Sequence, residues 1–282
     1  MTTKLILIEG IPGSGKTTFA EKIKGWYQAK GTSVNLYLEG QLHPADLGWC
    51  SCVPLDAYNQ ILNRYSSLEE DIKQNTVFEN GIAIIAYTKV PTSNREFYKE
   101  LEAYEVYDGR VDDEMFFKLH YDRWQRFGNI MKDRDELTIF ECAYMQNHVN
   151  ELLLWRNVGE DKIIEHHMKL LDSVISLSPI LIYLSQPNIE ETILRIAKER
   201  LSNYGNWIDL CISYCERSPY GQKHNLEGLE GAMEVFTKRK QIEMKIMELL
   251  TIPKIIVENA NNDWNGIWNE IETFLLSLDQ EI

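Results

Sequence analysis

The stretch LILIEGIPGSGKTT, residues 5–18, constrains this chain more than any other segment. An apolar run leads into a loop matching G-x-x-x-x-G-K-[ST] from Gly10 to Thr17. A helical pattern follows at once, with Phe19, Ile23, Trp26 and Tyr27 recurring on one side. That order predicts strand, phosphate-binding turn and helix, which is the context the motif requires. Glycines let successive backbone N–H groups turn inward around an anion, and the free donors of a helix N-terminus add to the same site. Gly10, Pro12, Gly13, Ser14, Gly15, Lys16, Thr17 and Thr18 are therefore expected to surround the phosphates of ATP. Lys16 would meet the terminal phosphates as a mobile cation, and the Thr17 hydroxyl would ligate magnesium.

Further short apolar runs alternate with helical patterns. Val34–Leu38, Leu137–Phe140, Pro179–Leu184 and Pro253–Val257 read as strands two to five after Leu5–Glu9. Such alternation predicts an α/β fold, a doubly wound five-stranded parallel sheet covered on both faces. The long stretch from Glu39 to Leu137 exceeds what a crossover of about a dozen residues needs. It is expected to be a large, mainly helical insertion between strands 2 and 3, residues 41–135, with helices near Asp56–Gln74 and Asp113–Met131. A strand or buried segment is expected at Gly81–Tyr87 and a turn at Tyr107-Asp108-Gly109. This aromatic-rich segment reads either as a cap carrying a substrate pocket or as a packed subdomain without a ligand. Residues 185–222 form the expected lid region, and residues 1–282 are expected to make one domain with these additions. Glu227–Leu250 and Trp264–Leu278 read as structural helices.

Composition narrows the partners. With 29 basic and 43 acidic residues, the chain of 282 residues carries a formal charge of −14, which disfavours a nucleic-acid polymer or an anionic membrane surface. No apolar run is long enough for a membrane span or a leader, so a cytoplasmic location is expected. The cysteines, 5 in all, read as free thiols, because neither Cys50-x-Cys52 nor Cys211 with Cys215 has a metal-finger spacing. The expected partner is a small-molecule phosphate acceptor, with a homodimer left open.

The ends of the strands supply the remaining candidates, since residues just past them share one crevice in a doubly wound sheet. Glu39, ending the second strand, suits a carboxylate that accepts a hydroxyl proton. Glu141, ending the third, suits a magnesium ligand acting through water, or a group that orients the acceptor. His43 and Asp46 follow Glu39 closely enough to touch an acceptor, although Asp46 equally suits a helix cap. His120, Arg123 and Arg126 recur at three-residue spacing on a predicted helix. They suit a polar or anionic acceptor, or a solvated face. Arg195, Lys198 and Arg200 lie in or beside a helix after the fourth strand. They read either as a lid placing charge on the transferred phosphoryl group or as partners of Glu190, Glu191 and Glu199 along the helix. His166-His167 reads as surface.

At these residues the chain resembles the P-loop kinases of nucleosides and nucleotides, including thymidylate kinases, deoxyribonucleoside kinases and small-molecule antibiotic phosphotransferases. The resemblance rests on the phosphate loop, on Leu38-Glu39-Gly40 with Trp49 beyond it, on Phe140-Glu141-Cys142 and on the arginine-bearing lid. Glu39 matches the glutamate that serves as base in deoxyribonucleoside kinases. Glu141 matches the first residue of their Glu-Arg-Ser triplet, where Cys142 replaces the arginine. The Asp-Arg-Tyr or Asp-Arg-His triplet of thymidylate kinases is absent. The resemblance implies strand order 2-3-1-4-5, ATP with magnesium, and an adenine pocket near Glu258–Asn262, with Asn259 at the nucleotide.

The phosphate loop also occurs in switch proteins and in ATPases. A P-loop ATPase or GTPase switch or sensor, binding a partner through its cap, would carry an Asp-x-x-Gly after the third strand. Phe140-Glu141-Cys142-Ala143 does not supply one. A nucleotidase with water as acceptor fits the same residues. The leading expectation is a small-molecule kinase.

Overall fold

Strand β1 (Leu5–Gly10) lies in the middle of the main sheet with all its residues buried. It pairs in parallel with β6 (Leu137–Glu141) on one side and β7 (Ile180–Ser185) on the other, so that Leu7 sits opposite Phe140 and Leu181. Continuous Leu and Ile runs suit strands covered on both faces, and β6 and β7 are buried along their whole length. The structure is a computed structural model describing residues 3–202, 205–259 and 263–280. At the sheet's edges lie β2 (Val34–Tyr37) and β10 (Lys254–Glu258), the latter parallel to β7. Across the sheet the 5 strands run β2, β6, β1, β7, β10. These numerals differ from the expected 2-3-1-4-5 because the full chain holds strands in the insertion and the lid region that the sequence reading did not number.

Contacts divide the chain into two compact units, one of Met1–Leu36 with Gly128–Ile282 and the other of Tyr37–Phe127. In the first, α1 (Lys16–Ala29) follows the turn after β1, α7 (Glu160–Asp172) precedes β7, and α11 (Gly228–Leu249) precedes β10. The buried face of α7 is Ile163, His166, His167, Leu170 and Leu171. The histidines expected at the surface therefore lie on the apolar stripe: their i, i+3, i+4 spacing with Ile163 and Leu170 outweighs their polarity. His167 Nδ1 lies 2.7 Å from Ile163 O, so a hydrogen bond to the preceding turn accompanies its burial.

The second unit is less helical than expected. It contains a 3-stranded sheet of order β3 (Ser51–Pro54), β5 (Ile82–Ile85), β4 (Thr76–Glu79). Both pairings are antiparallel. The missed hairpin has a sequence signal in Asn80-Gly81, whose φ values of 49° and 78° are those demanded by a tight two-residue connection. The helix expected over Asp56–Gln74 is two helices, α2 (Leu55–Arg64) and α3 (Glu69–Gln74), separated by a short 3-10 turn at Ser66–Leu68. Asp113–Met131 is helical as read and is labelled α5, after α4 (Arg95–Glu102). A core of Val53, Tyr58, Ile61, Ile72, Ile85, Phe97 and Leu101 joins α2, α3 and α4 to the small sheet. Among the described residues no helix is long and apolar enough to cross a membrane.

Gly128, near the end of α5, marks a tight approach within the first unit. A Cβ built there would lie 2.6 Å from Ser173 O, a backbone atom that cannot swing aside. Gly128→Ala is expected to lower unfolding free energy by about 1–3 kcal/mol through overpacking, exceeding the gain of about 1 kcal/mol from helix propensity. Urea unfolding measures the balance; a stabilised variant would contradict the close approach.

Candidate active site

The turn between β1 and α1 is shaped by what surrounds it. Gly10 has φ 142°, and a Cβ there would meet Leu184 O at 2.4 Å. Gly13 has φ 76°, and its Cβ would lie 1.9 Å from Ile196 Cδ1. Side chains are thus excluded at both positions, and the loop presents backbone instead. Ser14 N donates to Ile11 O at 3.2 Å, closing a turn. Lys16 is buried and its Nζ donates to the same carbonyl at 3.0 Å, so an ammonium stands across the loop. Thr17 and Thr18 are exposed at the start of α1, while Pro12 and Gly15 are partly exposed. Ser14 Oγ is buried with no hydrogen-bond partner among the described residues, a polar atom left over in the loop itself.

Thr17 Oγ1 donates to Glu141 Oε1 at 2.8 Å. The end of β6 thereby reaches the first turn of α1, bringing together the two residues read as magnesium ligands. A hydroxyl beside a carboxylate is a hard-oxygen donor set, which suits magnesium.

Beneath this pair lies a buried network that the sequence reading missed. The Glu9 carboxylate, fully buried at the end of β1, accepts from Tyr144 N at 2.8 Å and from Gln146 N at 3.1 Å. Arg239 of α11 donates through Nη2 to Gly10 O at 3.1 Å and to Gln146 Oε1 at 3.4 Å. Its Nε donates to Glu243 Oε1 at 2.5 Å, and Tyr183 donates to Glu243 Oε2 at 2.6 Å. Burial opposes the Arg239 charge, but the adjacent Glu243 carboxylate leaves its pKa raised overall. The available signal was an acid directly before the motif's first glycine; no spacing rule links it to Arg239.

Helix α8 (Ile189–Glu199) packs on the loop through Ile196. Arg195 Nη2 donates to Gly13 O at 3.4 Å, and the Arg200 guanidinium stands 5.2 Å from the centre of the Trp207 ring. Among the described residues neither arginine pairs with Glu190, Glu191 or Glu199. Asn259 Nδ2 donates to Ser14 O at 3.0 Å, and Trp264, opening α12 (Trp264–Gln280), packs on Gly15. The rest of the expected adenine pocket, residues 260–262, lies outside the described residues.

Glu39, His43, Asp46 and Arg123 belong to the other unit. Trp49 Nε1 donates to Glu39 Oε1 at 3.4 Å. His43 Nδ1 accepts from Ala45 N at 3.1 Å and Asp46 N at 2.8 Å. Burial holds its pKa down to about 3, so the ring is neutral with its proton on Nε2. Asp46 Oδ1 accepts from Tyr107 Oη at 2.5 Å and lies 3.6 Å from His120 Nε2. Arg123 is buried, paired with Glu79, and donates to His43 O at 2.6 Å. His120 and Arg123 therefore face inward, and of the three residues at three-residue spacing only Arg126 is partly exposed, where it too pairs with Glu79.

None of the protein-family models matches the chain, and no curated protein does. Among solved structures, the chain is similar to thymidylate kinase from Ehrlichia chaffeensis, at 12% identity and a TM-score of 0.41, over 98% of this chain and 100% of that one. It is similar also to thymidylate kinase from Candida albicans, at 14% identity and a TM-score of 0.38, over 96% of this chain and 92% of that one. At such TM-scores neither likeness bears on substrate or mechanism.

Burial pushes the Glu9 pKa up to about 7 from 4.5. The folded protein therefore binds this proton more tightly than the unfolded chain. The resulting stabilisation is full below about pH 4.5 and is lost as pH rises through 7. Between pH 4.5 and 8 wild type should lose about 3 kcal/mol relative to Glu9→Gln, since each tenfold change in proton affinity is worth about 1.4 kcal/mol. Denaturant unfolding of both proteins across that range checks it; parallel pH profiles would contradict it.

Proposed function

We propose that this protein is an ATP-dependent phosphotransferase, a kinase acting on a small molecule such as a nucleoside, nucleotide or antibiotic. The observation that carries the reading is the Thr17 to Glu141 hydrogen bond at the mouth of a complete phosphate loop. A hydroxyl from the motif and a carboxylate from the neighbouring strand converge there, and the same motif carries the Lys16 ammonium, held on Ile11 O. ATP phosphates would bind backbone N–H groups of the loop and of the first turn of α1, with Lys16 at their terminal oxygens. Thr17 and Glu141 are the residues that would hold magnesium, which would supply positive charge offsetting that of the phosphates. Asn259 fixes the loop from behind through Ser14 O.

In the reaction the acceptor oxygen forms a bond to the γ-phosphorus while the bond from that phosphorus to the bridging oxygen of ADP breaks. Where the acceptor is a hydroxyl, its proton passes to the Glu39 carboxylate. Arg195 and Arg200 add charge at the transferring group; the absence of ion pairs along α8 to Glu190, Glu191 or Glu199 among the described residues supports this over the alternative of helix-surface pairing. His43 and Asp46 contact the acceptor, and Arg123, held by Glu79, fixes the His43 backbone. Glu141 also orients the acceptor. No polymer or membrane partner is invoked, and a homodimer is compatible with this chemistry.

A screen of nucleosides, nucleotides and antibiotics with γ-labelled ATP tests the reading. Label should appear on one acceptor class, and release only to water would contradict it. For the responding acceptor, Glu39→Gln should slow turnover about a hundredfold with little change in nucleotide affinity. A native rate would remove Glu39 as the base. Lys16→Ala and Thr17→Ala should each abolish productive magnesium–ATP binding in calorimetry, because one removes the phosphate cation and the other the metal-binding hydroxyl.

A further inference from the structure

Two features of the buried network bear on Glu141 rather than on general stability. First, the chain leaving β6 takes an unusual path: Cys142, not glycine, holds φ 66° immediately after Glu141. A side-chain-bearing residue stays in the left-handed region only where its surroundings over-determine it. Cys142 N is fixed by Ile8 O at 3.2 Å. Next along the chain, Tyr144 N and Gln146 N are both taken by the Glu9 carboxylate. Second, the same turn is tied to the phosphate loop by one guanidinium, since Arg239 bridges Gly10 O and Gln146 Oε1. Glu9 and Arg239 thus connect the first residue of the loop to the start of α6 (Gln146–Asn150).

We propose that Glu9 and Arg239 are positioning residues for the cation site, holding the turn after β6 so that the Glu141 carboxylate meets the Thr17 hydroxyl. The proposal rests on the reading of Thr17 and Glu141 as magnesium ligands. Glu9 and Arg239 are both buried and are not among the residues read as nucleotide or metal ligands. Their effect passes through Glu141, as outer partners orient metal ligands elsewhere. A group that only stabilised the fold would change the unfolding midpoint and leave the cation requirement alone.

Calorimetric binding of adenylyl imidodiphosphate to the full chain at pH 8, titrated over magnesium concentration, separates the two. Glu9→Gln keeps the side-chain volume but has one acceptor oxygen for two amides, so the turn loses a tether. The magnesium concentration giving half-maximal nucleotide affinity should rise about tenfold, within the range found when outer partners of metal ligands are removed. Affinity without magnesium should stay within about twofold, because the loop N–H groups and Lys16 are untouched. Unchanged magnesium dependence in a folded Glu9→Gln overturns the proposal and leaves the phosphotransferase reading standing. A wild-type protein whose nucleotide affinity ignores magnesium overturns both. Should Glu9→Gln fail to fold, Gln146→Met decides: it removes the Arg239 acceptor while keeping Glu9 and an apolar side chain of similar size. A rise in the magnesium midpoint then supports the proposal, and no rise overturns it.

Discussion

Everything at the site depends on how closely the backbone after β1 is allowed to approach its neighbours. Gly10 passes Leu184 O and Gly13 passes Ile196 at distances that leave no room for a Cβ. The loop consequently presents backbone, with Lys16 folded across it and Ser14 Oγ buried without a partner among the described residues. An anion-binding turn needs this geometry, because N–H groups can converge only where side chains do not intervene. The price is that the loop cannot hold itself, and its carbonyls are pinned from outside by Arg239, Arg195 and Asn259.

Those pins belong to a set of contacts that ties the loop to its three core strands. Glu9 and Arg239 join β1 to the turn after β6, and Glu243 with Tyr183 joins α11 to β7. Charges buried this deeply are tolerable because each has a hydrogen-bonding partner; removing one partner leaves the other stranded. The Thr17 to Glu141 contact lies between an exposed hydroxyl and a carboxylate that is itself buried.

Much of the first unit was legible in the sequence because its signals are local. Five apolar runs, a phosphate-loop motif and long periodic helices each declare themselves within a short window, and Glu141 follows from its place after a strand. The second unit was less legible. Thr76–Glu79 carries exposed Val77 and Phe78, so it lacks the alternation of a half-buried strand, and only Asn80-Gly81 announced the hairpin. At His166 and His167 helical phase, not side-chain polarity, decides burial. Glu9, Arg239 and Glu243 could not be joined from sequence at all, since their association arises from packing between residues far apart in the chain.

Catalysis in this reading requires the Gly10–Thr17 loop to cradle nucleotide phosphates while Thr17 and Glu141 hold a cation. A crystal structure of the full chain grown with magnesium and a non-hydrolysable ATP analogue tests that requirement most directly. The phosphates should lie against the loop N–H groups, with Lys16 Nζ moved from Ile11 O onto the terminal oxygens and the cation beside Thr17 Oγ1. Nucleotide bound elsewhere, or a loop whose lysine stays on Ile11 O in the presence of saturating ligand, would contradict it.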